Sequence, residues 1–437
     1  MIILRTVKNI SSLNIAASVL LFLAAILAAV VANSSLSPVY QDFLLQELHL
    51  RIGNFNLFSH GGHPLKMIEF INDCLMTVFF LAVGLEIKRE LLVGELSSVR
   101  KAALPFIAAC GGMVVPVVIY ALSVASGTPE TRGMAIPMAT DIAFSLGVLS
   151  LLGKRVPLSL KIFLTAFAVV DDIGGILVIA LFYSADVAYG YLIAAAVLYV
   201  FLYYMGKFGV TQKIFFLFFG VIIWYLFLQS GIHSTISGVI LAFVIPARPR
   251  LDAGKYIERI RDIIGEFPVS KSDNIVLTNA QIATLKQVER ASDYVISPLQ
   301  SLEDNLHGAV SFVILPLFAF ANAGVVFSGS GSIVGDVSIA VAAGLLLGKF
   351  LGIYLFTWLA VKSGVALMPA GMNWKNIAGV SLLGGIGFTV SLFIANLSFA
   401  DEYPELLNQA KFGALVGTVL AGVLGYVVLN WVLPKRD

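Results

Sequence analysis

Five ionisable residues stand inside long apolar stretches of this 437-residue sequence, where charged side chains are rare. They are Asp73, Asp141, Asp171, Asp172 and Lys349. An ionised side chain at the centre of a bilayer costs about 2.5 to 3.5 kcal/mol on insertion scales, so those retained generally have a partner and a function. These five residues are the first candidates for chemistry.

Asp171 and Asp172 are neighbours near the middle of one apolar stretch. Successive helical residues point about 100° apart, so one carboxylate can meet a partner while the other faces a water-filled cavity. Carboxylate oxygens suit hard cations such as sodium, and crowding of two carboxylates favours uptake of a proton. Such a pair can bind a proton or a small cation, each excluding the other. Burial for packing alone is the alternative, and its energetic cost disfavours it.

Lys349 is the only basic residue deep within an apolar stretch, which makes it the natural counter-ion for one of the aspartates. A lysine whose stem snorkels toward the membrane surface is the alternative. Asp141 follows Pro137 and Thr140. Proline frees backbone carbonyls and favours an interrupted helix, whose half-helix ends carry partial charges that an acid or a lysine can balance.

The composition fixes the class of protein that must hold these residues. Charged residues are 12% of the chain, against about 25% in an average soluble domain. Hydrophobic residues are 59%, and the mean hydropathy is +0.93, which excludes a soluble globular protein. Two cysteines and no three-residue glycine period exclude a disulfide scaffold and a collagen-like fibre. With a net charge of +2 and scattered basic residues, no nucleic-acid partner is expected.

The apolar stretches predict an all-α polytopic membrane protein with twelve transmembrane helices, since a crossing takes about 20 mostly apolar residues. The predicted spans are residues 15–32, 66–85, 102–124, 134–151, 158–183, 190–205, 214–230, 232–247, 308–327, 338–361, 376–400 and 410–433. They form a single integral membrane domain over residues 1–437. Only Ser230 and Gly231 separate the seventh span from the eighth.

The positions of Lys and Arg orient these spans, because cytoplasmic loops retain positive charge. With both termini in the cytoplasm, the external segments hold Arg51, Lys66, Arg132 and Lys411. Lys349 lies inside the tenth span, and the rest of the 28 basic residues fall in internal segments. Segments rich in Lys and Arg therefore alternate with segments poor in them, which supports the twelve-span prediction.

Residues 251–298 depart from the membrane pattern and predict a polar cytoplasmic loop. Apolar residues from Tyr256 to Phe267 recur at helical spacing, which indicates an amphipathic helix. Thr278, followed three residues later by Gln281, is typical of a capping box that begins another helix. A solvated linker with surface helices is favoured over a dedicated regulatory domain.

An internal similarity relates the interrupted spans four and eleven. Residues 142–146 (IAFSL) resemble residues 386–390 (IGFTV), and the same offset places spans three to five on spans ten to twelve. Since an odd number of spans separates them, the repeats have inverted topology, as in many secondary transporters. Gly384, Gly385 and Gly387 mark the second break, although close helix packing is an equal explanation for glycines alone.

The chain resembles NhaA-type sodium/proton antiporters over nearly its whole length. The matching segments are IND at 71–73, FFLAVGLEIKRE at 79–90, ATDIAF at 139–144, VDDIG at 170–174, SGIH at 230–233, LPLFAFANAG at 315–324, GK at 348–349 and GGIGFT at 384–389. The resemblance implies a transport domain, not an enzyme, that exchanges sodium or lithium for protons across a bacterial inner membrane without a cofactor. Spans four and eleven would be crossed, broken helices.

The resemblance also implies roles for individual residues. Sodium would bind at Asp171 and Asp172, with Lys349 paired to Asp171. Asp141 and Lys349 would compensate the half-helix dipoles, with Thr140 beside the site. Asp73 and the glycines at 384, 385 and 387 would support it. The pH-sensing candidates are Glu86, Lys88, Arg89, Glu90 and Glu303, with the histidines His233 and His307 as further candidates.

Several alternatives stay open for these residues. From the sequence alone, Lys88 and Arg89 are equally well explained as topology anchors, and a lone histidine is more often structural. Family dimers pair through a hairpin, here within residues 51–60, so a homodimer is expected. Asp304 stands where a well-known family pattern has histidine, and the insertion at 251–298 is longer than in that pattern. The family's pH threshold is therefore not carried over.

The proposed aspartate pair is also compatible with two other classes of protein. An ion channel could use the same carboxylates, but it would dissipate either ion gradient alone. An intramembrane aspartyl protease needs two aspartates on separate, facing helices, one usually in a Gly-x-Gly-Asp turn, and the glycine run at 384–387 has no aspartate.

Exchange of two protons for one sodium ion would move net charge, so we expect electrogenic transport.

Overall fold

The computed structural model describes residues 2–52, 55–60, 63–183, 187–248, 253–265, 267, 276–327, 332–400 and 402–434. Helices dominate these residues. They are α1 (Ile2–Ala32), α2 (Ser37–Leu45), α3 (Met67–Val93), α4 (Val99–Ser123), a 3₁₀ helix (Pro129–Met138), α5 (Ile142–Leu151), α6 (Leu158–Phe182), α7 (Tyr189–Lys207), α8 (Lys213–Leu228), α9 (Thr235–Val244), α10 (Ala253–Gly265), α11 (Asn279–Val295), α12 (Pro298–Asn322), α13 (Asp336–Lys362), α14 (Trp374–Leu383), α15 (Phe388–Phe399) and α16 (Pro404–Val432).

The described helices make this a multi-pass membrane protein. Eight of them are long and apolar enough to cross a membrane, and the number rises to 10 when each of two bent pairs counts as one span. The remaining predicted spans, seven and eight, correspond to α8 and α9, which have 16 and 10 residues. Both are shorter than the roughly 20 residues of a simple crossing, so the twelve-span count stays a prediction.

Helix ends differ from the predicted boundaries because polar residues continue several helices beyond the apolar stretch. Helix α1 begins at Ile2, ahead of the predicted residue 15, and α12 begins at Pro298, ahead of the predicted residue 308. Ser297 caps α12, since its hydroxyl accepts a hydrogen bond from the Gln300 amide at 3.2 Å.

The two bent pairs fall where the sequence predicts interrupted spans. The 3₁₀ helix before α5 is bent from it by 45°, and α14 is bent from α15 by 44°. At the second break, a Cβ on Gly385 would lie only 2.4 Å from the Leu345 carbonyl oxygen. The glycines therefore let this break approach the neighbouring helix α13 closely.

Among the described residues, three helices contain one π-helical stretch each, at Ile71–Leu75, Val310–Ile314 and Gly344–Gly348. The first includes Asp73, and the third ends directly before Lys349. Such segments often mark functional positions because they rotate the following side chains relative to a regular helix.

Close glycine packing fixes the helix that carries Lys349. A Cβ on Gly352 would lie 2.1 Å from the Gly111 carbonyl oxygen, so α13 and α4 touch along their backbones. Gly112 of α4 in turn faces the lysine stem, with Lys349 Cδ 3.7 Å from the position of its Cβ. This contact holds Lys349 in the protein interior beside α6.

The segments outside the apolar helices are small. In the part of the chain that the structure describes, two antiparallel hairpins pair β1 (Arg51–Ile52) with β2 (Phe55–Asn56) and β3 (Ser59–His60) with β4 (His63–Pro64). Residues 53–54 of the predicted dimer hairpin lie outside the described residues. In the predicted cytoplasmic loop, α10 and α11 are helical, and Thr278 and Gln281 form both hydrogen bonds of a capping box, at 2.9 and 3.3 Å. Residues 251–252, 266 and 268–275 lie outside the described residues.

Candidate functional site

Asp171 and Lys349 form an ion pair in the interior. Lys349 Nζ lies 2.5 Å from Oδ2 of Asp171, and both side chains are fully buried. Removing two charges from water is costly, and only close pairing with good geometry offsets that cost. The other carboxylate oxygen, Oδ1, is buried without a hydrogen-bond partner among the described residues. A buried, unpaired carboxylate oxygen is a ready acceptor for a cation.

Asp172, the next residue of α6, faces a different environment. It lines a cavity of about 280 Å³ together with Thr140, Asp141 and Thr389. Asp171 does not line this cavity. The turn of about 100° per helical residue accounts for the difference, since it aims the two carboxylates in different directions.

The two helix breaks meet beside Asp172. The Thr140 hydroxyl donates to the Gly384 carbonyl at 2.8 Å, and the Asp141 amide donates to the Ile386 carbonyl at 2.7 Å. The Thr389 hydroxyl donates to Asp141 Oδ2 at 2.6 Å. The backbone groups that each interruption leaves free are therefore satisfied by the opposite break.

Asp141 also caps a half-helix. Its Oδ1 accepts a hydrogen bond from the Phe144 amide at 3.0 Å, at the N-terminus of α5. A carboxylate at this position satisfies an unpaired amide and balances the positive end of the helix dipole. Its location fits the dipole-compensating role that the family resemblance implies.

A group of charged residues lines the other end of the cavity. Glu86, Arg89 and Glu303 lie there together with the exposed residues Asp304 and His307. The Arg89 guanidinium lies 2.9 Å from the Glu303 carboxylate and 3.9 Å from that of Glu86. The cavity thus leads from an exposed, charged mouth to the buried aspartate.

The pH-sensing candidates fall into two groups. Glu90 joins the network at 2.8 Å from Arg89, although it does not line the cavity. Lys88 lies elsewhere: its Nζ donates to backbone carbonyls at the C-terminal end of α9, at 2.7 Å to Phe243 and also to Ile245. It caps that helix end, where a cation is favoured. His233 lies in the turn before α9 and does not line the cavity.

Asp73 is half-buried and lies away from the cavity. The Ser234 hydroxyl lies 3.4 Å from its Oδ1, and the Thr77 hydroxyl donates to its backbone carbonyl at 2.5 Å. These contacts tie the π-helical stretch of α3 to the start of α9, which fits a supporting role.

Sequence reasoning missed three hydroxyl residues at the breaks. Thr389 bonds Asp141, Ser145 donates to the Leu383 carbonyl at 3.0 Å, and Ser391 donates to the Ile136 carbonyl at 2.8 Å. A signal for two of them was present, because the internal similarity aligns Ser145 with Thr389. Both hydroxyls cross to the opposite break.

Comparison with known proteins identifies the family of this chain. The family described as Na+/H+ antiporter 1 matches residues 8–429. The chain is 75% identical to the Na(+)/H(+) antiporter NhaA of Bacteroides fragilis over 436 residues, covering 100% of both. It is 74% identical to the Bacteroides thetaiotaomicron protein of that name (100% and 99% covered) and 43% identical to Na(+)/H(+) antiporter NhaA 1 of Saccharophagus degradans (94% and 88% covered). The chain therefore belongs to the NhaA-type Na+/H+ antiporter family of membrane transporters.

Proposed function

We propose that this protein exchanges sodium, or lithium, for protons across the bacterial inner membrane by alternating access to Asp171 and Asp172. The observation that carries the proposal is the contrast within the pair. Asp172 borders a cavity that reaches an exposed mouth, whereas Asp171 is paired with Lys349 in the dry interior. One carboxylate can take an ion from solution while its neighbour and the lysine complete the charge balance.

Sodium would displace protons at this pair. A sodium ion at Asp172 can take oxygen ligands from Thr140 and Asp141, which line the same cavity. Asp171 does not line this cavity, so its unpaired Oδ1 would become a further ligand only after a shift of α6 or of Lys349. Because a carboxylate cannot hold a proton and a metal ion at one oxygen, binding of either ion excludes the other.

The exchange should be electrogenic. If two protons leave for each sodium that binds, a full cycle moves one net charge, and the membrane potential contributes about 2.3 kcal/mol per 100 mV. Lys349, the partner of Asp171, is one source of the second proton. A sodium ion attracted by Asp171 would repel the lysine ammonium and favour loss of its proton.

Regulation by pH would act through the charged mouth of the cavity. Arg89 bridges Glu303, Glu90 and Glu86 there, on α3 and α12. Of these carboxylates, only Glu303 links Arg89 to the other helix, so loss of its charge would weaken the contact between α3 and α12, whereas loss of any of the three charges would change the field along the path to Asp172. We also infer a homodimer paired through residues 51–60, with both termini in the cytoplasm.

The test is a flux measurement on purified protein in sealed vesicles with a proton-sensitive dye inside. A sodium gradient should drive proton movement, and a proton gradient should drive sodium movement, each in proportion to the opposing ion. A sodium-induced current of matching sign should accompany both. Collapse of a proton gradient without sodium would indicate a channel, and the absence of sodium-induced current at every pH would contradict electrogenic exchange.

A further inference from the structure

The cavity in front of Asp172 is open toward His307 and ends inside the protein. On α3, α12 and α15, the lining residues furthest from the open end are Phe79, Leu315 and Val390. All three helices continue beyond these positions. We call the side of the protein that these continuations reach the closed side.

Three phenylalanine rings form the first layer, which starts at the level of the cavity end: Phe80 stands beside Phe79 on α3, whereas Phe318 and Phe393 stand three residues beyond Leu315 and Val390. Phe393 of α15 lies 5.7 Å from Phe80 of α3 and 6.3 Å from Phe318 of α12, measured between ring centroids. All three side chains are buried. Packed, buried apolar rings disfavour water, so a layer of this kind can act as a barrier between the cavity and the opposite side of the membrane.

A chain of three asparagines forms the second layer on the same three helices. Asn322 Nδ2 donates to Asn72 Oδ1 at 2.8 Å, and Asn396 Nδ2 donates to Asn322 Oδ1 at 2.8 Å. At 1.5 Å per helical residue, each asparagine lies about 10 Å beyond the cavity lining of its helix. The central side chain, Asn322, is fully buried.

We propose that the phenylalanine layer and the asparagine chain form the closed gate of this transporter, and that the asparagine chain is its reversible lock. The proposal rests on the exchange function proposed above, since alternating access requires one side to close while the other is open. In the opposite state, α3, α12 and α15 separate at Asn322, and the ion path to Asp172 opens on that side.

Amide side chains suit a lock that must open in every cycle. A buried amide without a partner is costly, so the hydrogen-bonded chain favours the closed arrangement while the gate is dry. When the gate opens, water molecules replace the hydrogen-bond partners that the amides lose, so separating the three asparagines costs little free energy. Aliphatic side chains in these positions would instead resist wetting and hold the gate shut.

A surface helix adds a fixed contact at the outer edge of this layer. The Tyr40 hydroxyl of α2 donates to the Phe320 carbonyl at 2.7 Å, beside Asn322. Burial raises the pKa of Tyr40 to about 12, so the hydroxyl keeps its donor proton at every physiological pH. The end of α12 is therefore held by α2, and movement at the lock falls to α3 and α15.

The test uses a cysteine between the two layers. In a Cys74→Ser/Cys110→Ala background, Ala319→Cys places a thiol on α12 between Phe318 and Asn322. A membrane-impermeant maleimide is applied to sealed vesicles of either orientation. Asp304→Cys, at the exposed mouth, identifies the cavity side. The Ala319→Cys thiol should react from the opposite side, and only while the gate is open.

Removing one bond of the chain should open the gate more often. Asn396→Ala leaves Asn322 Oδ1 without its donor, so labelling of Ala319→Cys should become about tenfold faster. Asn72→Ala should act in the same direction and serves if the first variant does not fold. The matched control is Asn376→Ala, another buried asparagine, on α14, which should leave the labelling rate unchanged.

Two outcomes would overturn the lock. Folded Asn396→Ala and Asn72→Ala variants that label no faster than the Asn376→Ala control would remove the asparagine chain from the gate. Labelling of Ala319→Cys from the cavity side alone would place the gate elsewhere. Sodium-driven proton flux in the same vesicles separates the two proposals. Normal exchange together with unchanged labelling would refute only the asparagine lock. A lack of exchange by the unsubstituted protein would refute the proposed function.

Discussion

Asp171 and Asp172 are adjacent in the chain, yet they occupy opposite kinds of environment. Asp171 is sealed against Lys349 with both side chains fully buried, whereas Asp172 borders a cavity that leads to exposed, charged residues. One helical step of about 100° separates them. This difference supports the proposed division of roles, in which Asp172 would exchange ions with solution and Asp171 would couple that exchange to Lys349.

The largest predicted effect on transport follows from neutralising the cavity-facing aspartate. Asp172→Asn keeps the shape of the side chain and removes its charge, so sodium-driven proton flux should fall at least about hundredfold, as expected for losing a charged ligand worth about 3 kcal/mol. Thermal melting should stay near that of the unsubstituted protein, because no ion pair is broken.

The matched control is Asp304→Asn, at the exposed mouth of the same cavity. It should retain most of the flux, because that carboxylate stands in solvent. Full exchange by a folded Asp172→Asn variant would show that Asp172 is not part of the ion site and would contradict the proposed difference in role between Asp171 and Asp172.

The second effect should appear in stability. Lys349→Ala leaves the Asp171 carboxylate buried without a countercharge, and breaking a buried pair in this way costs about 3 to 5 kcal/mol. The melting temperature should fall strongly, and adding Asp171→Asn should restore part of it. Lys362→Ala is the control, at the exposed end of the same helix over the Trp358 ring, and should cost about 1 kcal/mol at most. Equal melting of both lysine variants would show that the internal pair contributes no stability.

A smaller effect should come from the break that borders Asp172. Gly385→Ala would place a Cβ 2.4 Å from the Leu345 carbonyl oxygen, so α13 and the break must move apart at a cost of about 1 to 3 kcal/mol. Both the melting temperature and the exchange rate should fall. Gly190→Ala, where a Cβ meets nothing within 4 Å, should change neither. Similar melting of the two variants would argue against close packing at the break.

The smallest effect should come from one hydroxyl between the breaks. Thr140→Val keeps the side-chain shape and loses the 2.8 Å bond to the Gly384 carbonyl, a change worth about 1 kcal/mol. Apparent sodium affinity should fall severalfold in flux assays, with the maximal rate less affected. Thr284→Val, on the exposed helix α11, is the control and should leave affinity unaltered. An unaltered affinity in Thr140→Val would show that this hydroxyl only supports the fold.

Much of this architecture could be predicted from the sequence. Apolar length predicted the membrane helices, and Pro137 and the glycines at 384–387 predicted where two of them break, because both residue types weaken a helix locally. The cost of burying charge in a membrane singles out Asp171, Asp172 and Lys349 from the sequence alone.

Other features depend on tertiary contacts that have no local signature. The asparagine chain joins residues of three distant helices, and each asparagine alone resembles any polar residue near a helix end. Lys88 belongs to the same charged segment as Arg89, and only the packing of α9 against α3 directs it to backbone carbonyls. Apolar composition predicted spans seven and eight. The corresponding helices, α8 and α9, are short because the turn after Leu228 is not helical.

The proposed exchange requires that sodium and protons compete for one carboxylate pair. Calorimetry of sodium binding to the purified protein in buffers of different ionisation enthalpy tests it most directly, because it counts protons released per sodium bound. Release should be measurable, and sodium affinity should weaken about tenfold per unit fall in pH for each proton displaced, with no binding by Asp172→Asn. Sodium binding without proton release and with the same affinity at every pH would contradict the account.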